Sequence, residues 1–96
     1  MQVCNVVKFK VKPGQEAAFL DAHRNKVTWP GFERGVILKT GDRTFCLVGM
    51  WASQDAMAAA RPEMIKTLDS FRAILEDQGE GRGVTDAVSG PVVLEL

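Results

Sequence analysis

The segment FERGVILKTGDRTFCLVGMWAS, residues Phe32 to Ser53, decides the fold of this 96-residue chain. Two runs rich in β-branched and aromatic residues flank Gly41-Asp42, a dipeptide typical of two-residue hairpin loops. With that loop, antiparallel counting places on one face the pairs Thr40–Arg43, Leu38–Phe45, Val36–Leu47, Arg34–Gly49 and Phe32–Trp51. The other face carries Ile37, Cys46, Val48 and Met50. Both faces are apolar, so we expect both to be covered.

The flanking segments supply the remaining elements. A first strand is predicted over Val3–Lys12, with Asn5 the one polar member of an apolar row, and a helix follows from Glu16 to about Lys26 or Val27. Ser53 is a good N-cap for a short helical turn, and a second long helix begins near Pro62 and ends at Gly79. The last strand is predicted over Val84–Leu96, interrupted at Ser89-Gly90-Pro91.

The order β-α-β-β-α-β predicts an α+β, ferredoxin-like fold in one domain spanning residues 1–96. Such a fold is a four-stranded antiparallel sheet with two helices on one face. The other face would then expose a contiguous apolar patch formed by Val6, Ile37, Cys46, Val48 and Met50. A homodimer that packs these sheet faces together would cover the patch, because a two-fold axis makes it self-complementary.

Composition excludes several classes of function. Twelve basic and twelve acidic residues cancel, and no Lys/Arg cluster is present, which argues against nucleic acid as a partner. No apolar run is long enough to cross a bilayer, and the N-terminus lacks the pattern of a secretion signal, so we expect no membrane partner and a cytoplasmic location. Cys4 and Cys46 lack the spacing of a metal or redox motif, and we expect neither a metal nor a cofactor.

Short motifs along the chain resemble a known family. They are Lys12-Pro13-Gly14 before the first helix, Phe19 within it, Pro30-Gly31-Phe32 at the second strand, and Trp51-x-Ser53 followed by Ala56. This combination is similar to the antibiotic-biosynthesis-monooxygenase-like domains of the dimeric α/β-barrel superfamily. The resemblance implies a homodimer whose two sheets pack as a barrel, and a pocket in each subunit between sheet and helices, into which Trp51 points. Members include cofactor-independent monooxygenases, quinol oxygenases and haem-degrading enzymes.

Three residues are candidates for catalysis. Arg34 shares a predicted face with Trp51 and would need a carboxylate, a ligand anion or solvent as its partner. His23, the only histidine, lies on the apolar stripe of the first helix, where it is either a general base or a hydrogen-bonded core residue held by Glu16. Asn5 either orients a substrate carbonyl or dioxygen, or bonds a backbone group. We expect His23, Arg34 and Trp51 to line one cavity.

Four further residues are candidates for substrate binding. Trp51 and Phe32 would form an aromatic wall, while Arg72 and Asp86 are charges on inward-looking faces, with Asp86 a candidate partner for Arg34 or Arg72. The sequence favours a cofactor-independent monooxygenase acting on a small aromatic or quinol-like molecule. The alternative is a non-catalytic small-molecule-binding or structural homodimer. Haem degradation is disfavoured, because the second long helix has no histidine to ligate iron.

Overall fold

The computed structural model describes residues 1–24, 29–77 and 83–96. Its first elements are strand β1 (Val3–Lys10), helix α1 (Glu16–Arg24), strand β2 (Phe32–Gly41) and strand β3 (Thr44–Trp51). Then follow helix α2 (Gln54–Phe71), a 3-10 turn (Arg72–Ile74) and strand β4 (Asp86–Pro91). The strands form one antiparallel sheet in the order β2-β3-β1-β4. The predicted ferredoxin-like βαββαβ arrangement is confirmed.

One side of the sheet packs against both helices, and we call it the helix-facing side. The register pairs Asn5 with Gly49 and Phe9 with Phe45 on this side. Phe19 of α1 and Phe71 of α2 share one buried cluster with Phe9 and Phe45, so the core lies between the sheet and the two helices. Alternation along β1 and β3 predicted these faces correctly, because both strands are central and apolar at every second position.

The hairpin reverses one residue later than the sequence predicts. Gly41 pairs with Thr44, so the loop is Asp42-Arg43 and the predicted loop of Gly41-Asp42 is wrong. Arg43 adopts the left-handed backbone conformation, with φ of 58°, which is uncommon for any residue other than glycine. Gly41 therefore correctly indicates that the chain turns here, but the loop lies one residue further along the chain than predicted.

Hydrogen bonds from distant segments hold Arg43 in this conformation. Its backbone N–H donates to Glu16 Oε1 at 3.0 Å. Its guanidinium Nη1 donates to the carbonyl oxygen of Val11 and to Glu76 Oε1, both at 3.0 Å. Lys39 Nζ also donates to Glu16, at 3.2 Å. Bonds to charged groups are among the stronger ones, which explains why the loop tolerates an arginine at positive φ.

Two irregularities in β2 place the side chains of its central part on the sheet faces opposite to those predicted. Thr40 is an extra residue between the pairs Lys39–Phe45 and Gly41–Thr44, and Glu33 is an extra residue near the strand's beginning. A slip of one residue moves every side chain to the other face. Gly35 and Ile37 therefore lie on the helix-facing side, and the predicted row of Arg34, Val36 and Leu38 lies on the opposite side.

The side of the sheet away from the helices, here the outer face, is apolar as predicted. It carries Val6, Cys46, Val48 and Met50, but Ile37 packs into the core, and Val36 and Leu38 take its place. Leu38 is 50% exposed and Val88 of β4 is 67% exposed. The outer face thus retains a contiguous apolar surface, with one member of the predicted patch corrected.

The second half of the chain departs from its predicted boundaries. Helix α2 starts directly after Ser53, whose Oγ accepts the N–H of Ala56 at 3.1 Å, and runs without interruption through Pro62 to Phe71. Strand β4 pairs continuously through Ser89-Gly90-Pro91, so the predicted interruption is wrong; proline is tolerated there because β4 is an edge strand. The predicted end of the first helix at Lys26 or Val27 lies outside the described residues. The predicted end of the second helix at Gly79 is wrong: α2 ends at Phe71, because the 3-10 turn and a bridge between Val11 and Leu75 follow it.

Candidate functional site

The helix-facing side holds two aromatic clusters at opposite ends of β1. The phenylalanine cluster consists of Phe9, Phe19, Phe45 and Phe71, with Val11 and Leu75 buried beside them. The tryptophan cluster is centred on Trp51 and includes Trp29, Phe32, Val3, Met57 and Ala60. Both clusters take residues from the two central strands β1 and β3, and Phe32 of the edge strand β2 adds to the tryptophan cluster.

Two glycines provide space beside the tryptophan cluster. Gly35 and Gly49 are paired across β2 and β3, and Gly49 also faces Asn5 across β1. A methyl group on Gly49 would overlap Asn5 Oδ1 and lie 3.3 Å from Trp51 Nε1. A methyl group on Gly35 would lie 2.6 Å from the ring of Phe32. Asn5 and Phe32 therefore lie directly on bare backbone, which no other residue type would permit.

Asn5 is held by Trp51. Trp51 Nε1 donates to Asn5 Oδ1 at 2.9 Å, and Trp51 is fully buried, with 0% of its surface exposed. The bond satisfies an indole N–H that burial would otherwise leave unpaired. Because an indole nitrogen only donates, Oδ1 must be the amide atom that faces Trp51, which directs the two hydrogens of Nδ2 elsewhere. Of the two predicted alternatives for Asn5, the structure does not show a bond from its Oδ1 to a backbone group; its partner there is the side chain of Trp51.

Trp29 completes the cluster. Its ring stacks on Trp51, with centroids 6.0 Å apart and planes 20° apart, and meets Phe32 edge-on at 5.7 Å. Its Nε1 is buried and has no hydrogen-bond acceptor in the described part of the chain. Sequence reasoning marks Trp29 only as part of the Trp29-Pro30-Gly31 turn, so this residue was missed. The position of Trp29 directly before the Pro30-Gly31-Phe32 motif was the available signal.

Phe32 lies where the sequence predicts. Its ring centroid is 4.8 Å from that of Trp51, and the side chain is half-buried. The predicted aromatic wall of Phe32 and Trp51 is therefore present, although the register that led to it was wrong between residues 34 and 39. The second irregularity, at Glu33, returns Phe32 to the helix-facing side.

His23 belongs to the phenylalanine cluster. Its ring centroid lies 4.7 Å from those of Phe19 and Phe71 and 6.3 Å from that of Phe9. Burial lowers the pKa of His23, and a bond of 2.8 Å between Nδ1 and the carbonyl of Phe19 opposes this only in part. The imidazole is therefore neutral near pH 7, with Nδ1–H as the donor. Glu16, the predicted partner of His23, bonds Lys39 and Arg43 instead.

The three other charged candidates do not join Trp51. Arg34 is exposed and pairs with Met50 on the outer face, so the prediction that His23, Arg34 and Trp51 line one cavity is wrong. Arg72 is exposed and bonds Asp69 at 3.0 Å, because α2 ends at Phe71 and the inner stripe stops there. Asp86 pairs with Lys8 on the outer face and not on an inward-looking face.

The remaining surface features lie elsewhere. An open concavity of about 440 Å³ is lined by Met1, Val3, Ser53, Gln54, Asp55 and Pro91, none of which is a predicted site residue.

Across residues 1–24, 29–77 and 83–96, no three His, Cys, Asp or Glu side chains are grouped as metal ligands would be. Within the same residues, no helix has the length and apolarity needed to span a membrane.

Solved structures share the fold of the whole chain. SnoaB, a cofactor-independent oxygenase from Streptomyces nogalater, is 20% identical with a TM-score of 0.72, and the match covers 99% of this chain and 96% of that one. A monooxygenase from the gene ActVA-Orf6 of Streptomyces coelicolor, solved with the ligand nanaomycin D, is 17% identical with a TM-score of 0.74, covering 98% and 89%. Rv0793 from Mycobacterium tuberculosis is 13% identical with a TM-score of 0.78, covering 99% and 98%.

These identities are too low to transfer an activity, and they show the fold alone. No curated protein matches the chain significantly. The family model described as antibiotic biosynthesis monooxygenase matches residues 2–76, which contain β1, both helices, the hairpin and all members of the tryptophan cluster. The chain therefore belongs to the antibiotic biosynthesis monooxygenase family.

Proposed function

We propose that this chain is a cofactor-independent monooxygenase of a small aromatic phenol, which binds at the tryptophan cluster. The observation that carries the proposal is the Asn5–Trp51 hydrogen bond over the backbone of Gly49. It places a polar amide among aromatic rings, where a planar ligand gains apolar contact and one oriented hydrogen-bonding group. Membership of the family supplies the reaction class.

The reaction needs only dioxygen as a second substrate. For 1-naphthol, the C–H bond opposite the hydroxyl breaks, a C=O bond forms there, and the product is 1,4-naphthoquinone. One oxygen atom enters the quinone and the other leaves as water with both released hydrogens. The phenol supplies all four electrons, so the reaction balances without an external reductant. In this proposal the ring packs against Phe32 and Trp51, while Asn5 Nδ2 donates to the phenolate oxygen and stabilises its charge.

His23 is not assigned as the base in this proposal. It contacts Phe9, which is four residues from Asn5 along β1, a separation of about 13 Å between the two Cα atoms. Direct proton transfer between a substrate oxygen at Asn5 and the imidazole would need hydrogen-bond reach, about 3 Å. The phenol would therefore bind in its ionised form, and we expect turnover to rise with pH as the substrate ionises.

Oxygen uptake with 1-naphthol tests the proposal. We expect uptake above the uncatalysed rate and a loss of about 10²-fold in Asn5→Asp, which keeps an acceptor for Trp51 but replaces the amide donor with a negative charge. Ser89→Ala, on β4 directly opposite Asn5, is the matched control and should keep the rate. His23→Phe should also keep it, and a 10²-fold loss there would return the role of base to His23.

A binding module is the second candidate function. The observation that favours it is that neither His23 nor Arg34 reaches the tryptophan cluster, which leaves Asn5 as the polar candidate there. Binding of 1-naphthol with no oxygen uptake above background would establish this alternative over the oxygenase.

We also propose that two copies pack through their outer faces. The exposed side chains of Val36, Leu38 and Val88 support this, because they form one apolar surface that the helices do not reach. Light scattering at micromolar concentration should give the mass of a dimer. Val48→Asp should dissociate or unfold it, since it buries an unpaired carboxylate, whereas Ala17→Asp on the exposed part of α1 should not. A monomeric wild-type protein would refute the interface.

A further inference from the structure

The tryptophan cluster contains a buried hydrogen-bond donor that has no acceptor within the described residues. Trp29 Nε1 is buried and unpaired within the described residues. The hydrogen bond described for Asn5 uses Oδ1 alone, so its two Nδ2 hydrogens are not accounted for by Trp51. Asn5 Oδ1 already accepts the indole N–H of Trp51. A buried donor without a partner destabilises the folded state, and the fold itself does not require one at this position.

We infer that Trp29 is a ligand-binding residue and that its Nε1–H and the Nδ2 of Asn5 donate to oxygen atoms of the bound molecule. The inference rests on the ligand site proposed above and specifies its chemistry. A site in which donors outnumber acceptors favours carbonyl or phenolate oxygens over neutral hydroxyl hydrogens. The ligand class is therefore a planar aromatic molecule that carries an acceptor oxygen, such as an aromatic ketone.

The placement of Trp29 agrees with this role. Trp29 and Phe32 are the half-buried members of the cluster, whereas Trp51 between them is fully buried. A ligand that approaches from outside meets Trp29 and Phe32 first. Trp29 stacks on Trp51, and Trp51 bonds Asn5, so both donor-bearing residues contact the same indole ring.

A matched pair of ligands tests the inference without oxygen chemistry. 1-Indanone carries a carbonyl where indane has a methylene group, and the two are otherwise alike in size and shape. We expect 1-indanone to bind more tightly than indane. Trp29→Phe keeps an aromatic ring and removes the N–H, so it should weaken 1-indanone binding about threefold to tenfold and leave indane binding unchanged. Phe32→Leu is the control, because it removes only apolar contact and should weaken both ligands equally.

The indole N–H signals in a ¹H–¹⁵N spectrum give a second readout. The chain has two tryptophans, so Trp29→Phe assigns both signals. Saturating 1-indanone should move the Trp29 signal downfield, and indane should not. An unmoved Trp29 signal, an equal loss of both ligands in Trp29→Phe, or no 1-indanone binding at its solubility limit would overturn the inference. If oxygen uptake fails but 1-indanone binds as expected, the proposed oxygenase activity is overturned and the role of Trp29 stands. If oxygen uptake is observed but Trp29→Phe does not alter 1-indanone binding, the role of Trp29 is overturned and the oxygenase activity stands.

Discussion

The phenylalanine cluster and the tryptophan cluster lie on the same side of one sheet and differ in what they contain. In the phenylalanine cluster, Phe9, Phe19 and Phe71 pack against each other with centroids 5.2 to 6.1 Å apart, and the single polar member, His23, has its Nδ1 bonded. In the tryptophan cluster, an amide, two glycines and an unpaired indole N–H occur together. The first is built for stability, whereas the second carries polar groups that stability alone does not explain.

The largest expected effect comes from breaking the phenylalanine cluster. Phe19 is fully buried, so Phe19→Ala should lower the free energy of unfolding by about 3–5 kcal/mol, because it removes apolar contact and leaves a cavity. Urea denaturation measures this change. If the alanine variant does not fold, Phe19→Leu should fold with a smaller loss. Binding of 1-indanone to the folded fraction should be unchanged, and a loss of less than 1 kcal/mol in Phe19→Ala would contradict the assignment of this cluster as the main core.

A smaller effect is expected from filling the space over Gly49. Gly49→Ala places a methyl group where Asn5 Oδ1 lies, so we expect a loss of about 1–3 kcal/mol and a broken Asn5–Trp51 bond. The indole signal of Trp51 should move upfield as the bond is lost. Gly90→Ala is the control, since a methyl group there meets nothing within 4 Å. Equal stability of the two variants would show that Asn5 can move without cost.

The smallest expected effect is a change in pH dependence at His23. Burial lowers the pKa of His23 below its ordinary value of 6.5, so the unfolded chain binds a proton more readily than the folded one. This contribution to stability is present above pH 6.5 and is lost as the pH falls through the folded-state pKa. Urea denaturation of His23→Phe at pH 7.5 and 5.5 should show a smaller loss of stability on acidification than the wild type shows. Equal losses would contradict the lowered pKa.

The sequence predicted the structure correctly where the local residue pattern alone determines which face a side chain occupies. The alternation of β1 and β3 predicted both faces, because those strands are central and their neighbours impose no shift. The position of Phe32 beside Trp51 also followed from the hairpin. The motifs indicated the family because they cover turns and helix starts that the fold requires.

The errors arose where distant groups decide local structure. The loop moved by one residue because Arg43 is fixed by Glu16 and Glu76, which lie 27 and 33 positions away. Arg34 lies on the outer face because Thr40 is an extra residue in β2; the shift of the loop alone would have kept Arg34 on the predicted face. Trp29 was missed because the Trp-Pro-Gly pattern describes a turn and says nothing about the unpaired N–H beneath it. The residue preferences of hairpin loops indicate neither the long-range hydrogen bonds of Arg43 nor the unpaired N–H of Trp29.

In strand β2 two extra residues cancel each other's effect on the alternation of inward and outward side chains. Thr40 inverts this alternation and Glu33 restores it, so only residues 34–39 lie on faces opposite to those predicted. A regular ladder from the pair Gly41–Thr44 onward, in which Thr40 pairs with Phe45, would exchange every side chain between the two irregularities, bringing Arg34 inward and Gly35 outward. Relatives that align here without gaps can therefore differ in which face a residue occupies, and an alignment position in this strand does not by itself identify a site residue.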